Sequence, residues 1–192
     1  MGVSVTHTKG LVAPDSGAED KIYGVDYTST SSHAITGMGN AATLEISSVR
    51  LTSSFIFSTT TSTFPITGLA FTVSNTLFYQ FEYGVMYASV ISTTGFRLGL
   101  TAPAGVLSAG VWIPSGVAAA ATLAEIRGNI STTGDSVMTT TTPVAGTKYF
   151  AKIEGIIAPT ANGTLQATYA TEIAGSSVST FAGSYGTLTQ IV

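Results

Sequence analysis

The sequence predicts an all-β protein, an antiparallel sandwich that follows an extended N-terminal arm. Ser and Thr account for 54 of the 192 residues, and Gly adds 21 more. Thr is β-branched and suits a pleated strand, whereas Ser and Gly are typical of turns. Short apolar runs alternate with turn signals along most of the chain, and the helix-favouring Lys and Glu are few. This spacing favours a sandwich or barrel over strand–helix–strand units.

The first 40 residues differ from the rest in charge and in turn content. Six charged side chains lie within the first 26 residues, out of 7 basic and 10 acidic side chains in the whole chain. Pro14, Gly17 and Gly24 interrupt this segment, and the Ser/Thr run 28–32 and the glycines of 37–40 follow. Such a segment offers little core of its own. We therefore predict an extended arm over residues 1–40 and a β domain over residues 41–192.

Two segments carry the clearest strand pattern. In the predicted strand 77–91 the odd positions from 77 to 87 are apolar and mostly aromatic, and the even positions are mixed. Over residues 149–157 the apolar side chains alternate with Lys152 and Glu154. Because side chains of a strand alternate between its two faces, each pattern predicts one face directed at the core.

The remaining elements follow from shorter runs. Asn162-Gly163 favours a tight turn and predicts a hairpin that returns through residues 165–170. The Ala run within 116–127 predicts a short helix or a loop, since Ala has high helix propensity and Gly128 ends the run. Further strands are expected at Arg50–Phe57, Gly68–Val73, Phe96–Thr101, Val106–Ile113, Leu123–Ser131, Ser136–Thr142 and Val178–Val192.

Composition excludes several classes of partner. The net charge is -3, and the seven Lys and Arg are scattered, so no basic stripe is present to bind nucleic acid. The uncharged stretch 98–124 is interrupted by Pro103 and Pro114 and several glycines, so we expect no membrane span. The first eleven residues lack the pattern of a secretory signal, which predicts synthesis in a cytoplasm.

No catalytic, cofactor or metal site is expected. The two histidines, His7 and His33, both fall in the arm, and without cysteine they make a poor zinc site. No glycine loop has the pattern that holds a phosphate. One enzymatic alternative stays open, a carbohydrate-active enzyme that uses paired carboxylates such as Glu82 and Glu154. A solvent-facing position on a strand is the simpler interpretation of both residues.

Low charge instead favours self-association. Contact surfaces are depleted in charge and retain aromatic side chains, so symmetric assembly follows as a hypothesis. The candidate interface residues are aromatic side chains of the predicted strands: Tyr79, Phe81, Tyr83, Tyr87, Tyr169 and Tyr185.

Two stretches resemble virion structural proteins of tailed bacteriophages. Residues 20–27, followed by His33-Ala34-Ile35-Thr36-Gly37, are similar to the phage signature Asp-Trp-Asn-Ala-Asp-His-x-Ile-Thr-Gly, with Tyr27 in the place of Trp. Residues 152–157, 163–170 and 182–185 resemble the closing strands of phage jelly-roll modules. The resemblance implies a jelly roll, a trimer, and an arm that docks on other virion subunits. The arm residues expected to bind the partner are Lys21, Tyr23, Asp26, Tyr27, His33 and Ile35.

The resemblance implies a virion location and leaves two roles open. A capsid decoration or cement protein would bind the major capsid protein on the capsid exterior and stabilise the shell. A tail-fibre, tail-tip or head-fibre component would instead recognise a host glycan. The short chain and its single module favour the cement role.

Overall fold

The computed structural model describes residues 46–57, 61–115 and 124–191, so the predicted arm of residues 1–40 lies outside the described residues. Within the described ranges the chain forms strands and no helix, and therefore no helix there could cross a membrane. Twelve strands are described: β1 Ile46–Arg50, β2 Phe55–Phe57, β3 Phe64–Val73, β4 Phe78–Ser89, β5 Phe96–Thr101, β6 Gly105–Ser115, β7 Ala124–Ile130, β8 Ser136–Met138, β9 Tyr149–Pro159, β10 Gly163–Thr171, β11 Val178–Thr180 and β12 Tyr185–Ile191.

The strands form two antiparallel sheets. The large sheet has the order β1-β12-β4-β9-β6-β7, and β11 also pairs with β4 and carries β2. The small sheet has the order β3-β10-β5-β8. Side chains from both sheets meet in one hydrophobic core, which is the arrangement of a β-sandwich. The prediction of an all-β antiparallel sandwich is confirmed.

Aromatic side chains of β4 fill the centre of the core. Tyr83 is buried, and its hydroxyl donates a hydrogen bond of 2.9 Å to the carbonyl of Leu165 in the small sheet. The Tyr87 ring stacks on Phe96 at 4.1 Å, and its hydroxyl donates to the carbonyl of Pro114. Each buried phenol therefore has an acceptor, as burial of a polar group requires. The predicted core faces of residues 77–91 and 149–157 are confirmed.

The hairpin predicted at Asn162-Gly163 is wrong. β9, before the turn, pairs with β4 and β6 in the large sheet, whereas Gly163 begins β10 and pairs with Val73 in the small sheet. The chain crosses between the two sheets at this point. An Asn-Gly dipeptide favours a reversal of direction, but it does not determine which strand receives the returning chain.

The strand predicted at Leu123–Ser131 is confirmed as β7, and the short helix or loop predicted over 116–127 is corrected where the two overlap. Residues 116–123 lie outside the described residues, but 124–127 belong to β7, where Ile126 pairs with Ile113 of β6. Ladder pairing at the sheet edge outweighs the weak helix preference of this segment. Two long predicted strands are divided as well. In the predicted strand Arg50–Phe57, Arg50 is the last residue of β1 and residues 55–57 form β2. The predicted strand Val178–Val192 is divided into β11 and β12, with Gly183 between them at a φ of 97°.

Candidate functional site

The structure places the predicted interface aromatics in the core instead of on a surface. Tyr79, Phe81, Tyr83, Tyr87 and Tyr169 are each at most 7% exposed. They lie on the inner faces of β4 and β10, where they pack between the two sheets. Side chains buried to this degree offer little surface to a second molecule, so these five residues mainly stabilise the fold. The sixth candidate, Tyr185, lies outside this core.

Tyr185 lies partly exposed on the outer face of the large sheet, the side directed away from the small sheet. Its strand neighbour in register is Gly84 of β4, which in turn pairs with Lys152 of β9. Lys152 pairs on its other side with Trp112 of β6. One register level further along, Glu82 pairs with Glu154. Antiparallel pairing thus brings residues far apart in sequence onto one surface.

Charged side chains form a connected group at the centre of this face, which we call the polar cluster: Glu82, Lys152, Glu154 and the hydroxyl of Tyr185. Lys152 Nζ lies 2.9 Å from Glu82 Oε2 and 2.6 Å from Glu154 Oε2. The Tyr185 hydroxyl donates a hydrogen bond of 2.6 Å to Glu82 Oε1. The lysine separates two carboxylates that would otherwise repel each other directly across the strand pair. The structure therefore brings together the two glutamates that the sequence singled out.

The protonation of Glu82 follows from these contacts. The Tyr185 hydrogen bond, and then the hydrogen bond and charge of Lys152, lower the pKa of Glu82 below its ordinary value of 4.5, and partial burial opposes them. The hydrogen bond to Glu154, and then the one to Glu82, raise the pKa of Lys152, and the hydrogen bond to Glu82 raises the pKa of Tyr185. Glycoside hydrolysis needs a carboxylic acid whose pKa is raised so that it can donate a proton. The contacts of Glu82 favour its ionised form, so Glu82 is unsuited to the role of proton donor.

Aromatic rings flank the polar cluster on both sides. The rings of Phe150, from β9, and Tyr185, from β12, lie over Gly84 of β4, where a Cβ would collide with both rings. The two ring centroids are 6.1 Å apart, and the angle between the ring planes is 26°. On β6 the Trp112 indole lies over Gly110, where a Cβ would stand 2.7 Å from Trp112 Cη2. The absence of a Cβ at Gly84 and Gly110 leaves the space that the ends of these rings occupy. We call Phe150, Tyr185 and Trp112 the aromatic platform.

The end of the same face at which β4 and β6 begin is apolar. A concavity of about 420 Å³ opens there, and none of its lining residues is charged. Four of them have large exposed side chains, which we call the apolar patch: Phe78 (62% exposed), Val106 (67%), Ile156 (52%) and Ile191 (41%). Contiguous exposed apolar surface of this kind is uncommon on a monomer and marks interaction sites. Sequence reasoning missed this patch and two members of the platform, Phe150 and Trp112.

Other predicted site residues remain without a structural placement. The six arm residues, Lys21 to Ile35, and both histidines lie outside the described residues. In the part of the chain that the structure describes, no group of three or more His, Cys, Asp or Glu side chains is arranged to hold a metal ion.

Comparisons with known proteins find only weak structural similarity. No protein-family model matches the chain, and no curated protein matches it. Among solved structures, the infectious bursal disease virus VP2 subviral particle is 10% identical over 86% of this chain and 50% of that one, with a TM-score of 0.23. The Gx strain of the same virus gives 12% identity over 90% and 50%, with a TM-score of 0.21. The chain spans about half the length of these viral proteins, and TM-scores this low carry no argument about its function.

Proposed function

We propose that this chain is a non-enzymatic structural protein of a virus particle that assembles with copies of itself through the apolar patch. The observation that carries the proposal is the uncharged concavity bordered by Phe78, Val106, Ile156 and Ile191. Water contact with these side chains is unfavourable by about 25 cal/mol for each Å² of apolar surface. Covering the patch in an assembly removes that cost.

A second copy of the chain is the occupant that the charges favour. The concavity has no charged lining residue, so two patches can face each other without like-charge repulsion or the desolvation of an ion. The whole chain carries a net charge of only -3, which opposes association weakly. A rotationally symmetric contact would bury the patch of every copy and close the assembly. The phage resemblance implies three copies.

The virion setting is drawn from the two stretches that resemble phage structural proteins. On that basis we propose a decoration or cement protein on the capsid exterior, attached to the major capsid protein through the arm of residues 1–40. Assembly through the apolar patch would join neighbouring copies over the shell. A fibre or tail component with a host glycan as its ligand is the alternative role.

Light scattering on the full chain tests self-association. We expect the unmodified protein to have a mass of three 19.6 kDa chains at micromolar concentration. The double variant Phe78→Thr/Val106→Thr places β-branched threonine, which suits a strand, at both exposed positions and should dissociate to single chains. The matched control is Val90→Thr, which replaces a side chain that is 58% exposed but lies outside the patch. A single-chain mass for the unmodified protein, or an unaltered assembly in the double variant, contradicts the proposal.

Copy number separates the two virion roles. Quantitative mass spectrometry of purified particles should find hundreds of copies for a shell coat, and a few to a few dozen for a tail or fibre component. Absence of the chain from purified particles contradicts both.

A further inference from the structure

We propose that the aromatic platform and the polar cluster form a binding site for a neutral oligosaccharide. The site shares no residue with the apolar patch, although Ile156 of the patch lies only two residues from Glu154 on β9. Separate variants can therefore test the two proposals.

The orientation of the rings is the first argument. Trp112 lies over Gly110, and Phe150 and Tyr185 lie over Gly84, so the rings rest on the sheet instead of standing upright from it. Phe150 is 45% exposed, and Trp112 and Tyr185 are partly exposed. An aromatic ring carries negative charge on its face and attracts the weakly positive C–H groups on the flat side of a sugar ring. Partly exposed rings that extend along the sheet over these glycines thus offer a surface on which a sugar can stack.

The polar cluster supplies the second argument. Carboxylate oxygens of Glu82 and Glu154 accept hydrogen bonds from sugar hydroxyls, and Lys152 Nζ donates to them. Mutual contacts of 2.6–2.9 Å already hold these groups in place, which reduces the entropy lost on binding. Two glutamates and one lysine leave the cluster with one net negative charge, which disfavours acidic sugars. A neutral sugar meets the cluster without that repulsion.

The spacing of the strands supplies the third argument. Gly84 lies on β4 and Gly110 on β6, and β9 with Lys152 and Glu154 lies between them. Neighbouring strands are about 4.8 Å apart, so the two stacking surfaces are separated by roughly 10 Å with the hydrogen-bonding groups in the middle. A chain of a few sugar rings can stack at both ends and form hydrogen bonds at its centre.

Trp112 makes the site directly observable, because it is the only tryptophan of the chain. We would titrate the full protein with neutral di- to tetrasaccharides built from glucose, galactose or N-acetylglucosamine. The expected result is a saturable change in tryptophan fluorescence with at least one series, and saturation transfer by NMR from the protein to protons of the sugar rings. Absence of a saturable response with all three series overturns the proposal.

Variants locate the binding. Phe150→Ala, measured by tryptophan fluorescence, should weaken binding about tenfold, because one stacking ring is lost. Trp112→Ala, measured by saturation transfer, should have an effect of similar size. Glu154→Gln, which keeps shape and removes charge, tests the cluster without disturbing the rings. The control Val90→Thr, outside both the apolar patch and this site, should bind the sugar unchanged.

A purely structural role has a different signature. Aromatic rings can cover glycines in a sheet simply to stabilise it. In that case Phe150→Ala and Trp112→Ala lower the thermal midpoint but leave sugar affinity unaltered, which overturns the proposal. If Trp112→Ala does not fold, Gly110→Ala displaces the indole while retaining it, and the same two outcomes apply.

Discussion

The two faces of β4 use similar residues for different purposes. Its inner face carries Phe81, Tyr83 and Tyr87, which are buried between the sheets. Its outer face carries Phe78 and Glu82, which remain accessible to solvent or a partner. The difference shows that an aromatic side chain on a strand says little about interaction until the register of the neighbouring strands is known. On this chain the inner face stabilises the fold, and the outer face is available for binding.

Core truncation should give the largest effect. Phe81→Ala removes a buried ring and leaves a cavity, so we expect the free energy of unfolding to fall by about 3–5 kcal/mol. Its outer-face neighbour Glu82→Gln should cost less than about 1 kcal/mol, as for a partly exposed ion pair. Urea denaturation of both variants makes the comparison. Similar losses for the two would contradict the assignment of the faces.

Removal of a buried hydroxyl should give an intermediate effect. Tyr83→Phe deletes the donor to the Leu165 carbonyl, which joins the two sheets, and leaves that acceptor without its partner. We expect a loss of about 1–2 kcal/mol in the free energy of unfolding. The slope of that free energy against urea concentration should stay the same. An unchanged stability would show that the inter-sheet bond is unimportant.

Two glycines of the large sheet sharpen the comparison further. A Cβ at Gly155 would collide with the backbone carbonyl of Ser108, which cannot move without breaking the pairing of β6 and β9. At Gly84 the obstructing atoms are the far ends of the Phe150 and Tyr185 rings. Gly155→Ala should therefore lower the thermal midpoint more than Gly84→Ala, which should mainly displace the platform. Equal midpoints would contradict this ranking.

The smallest expected effect is on pH dependence. Because the pKa of Glu82 is lowered on folding, its contribution to stability is present above about pH 4.5 and is lost as pH falls through the lowered value. NMR titration of the Glu82 carboxyl should give a midpoint below 4.5, and Tyr185→Phe should move it upward because the hydroxyl donor is gone. A midpoint that Tyr185→Phe does not alter would contradict the role of that hydrogen bond.

Sequence periodicity was sufficient to predict much of the fold. Alternation along residues 77–91 and 149–157 located β4 and β9 and their inner faces, because a half-buried strand repeats every two residues. It could not determine that Gly163 pairs with Val73, since the same turn permits either sheet. Nor could it separate aromatic residues of the core from those of a surface.

The candidate site depended on register across three strands. Glu82 and Glu154 were visible as isolated carboxylates, but their alignment with Lys152 between them required the pairing of β4 with β9. One local signal was available for the platform: Gly110 lies two residues from Trp112, on the same face of the strand, which leaves room for the indole. No such signal in sequence joins Phe150 to Tyr185.

Hydroxyl-radical footprinting with mass spectrometry tests most directly whether the outer face carries two separate interaction sites. The account predicts that raising the protein concentration protects Phe78 and leaves Phe150 reactive, and that a bound oligosaccharide then protects Phe150 without altering Phe78. Equal protection of both rings under either condition, or no protection of Phe78 at the concentration where the mass corresponds to an assembly, would contradict it.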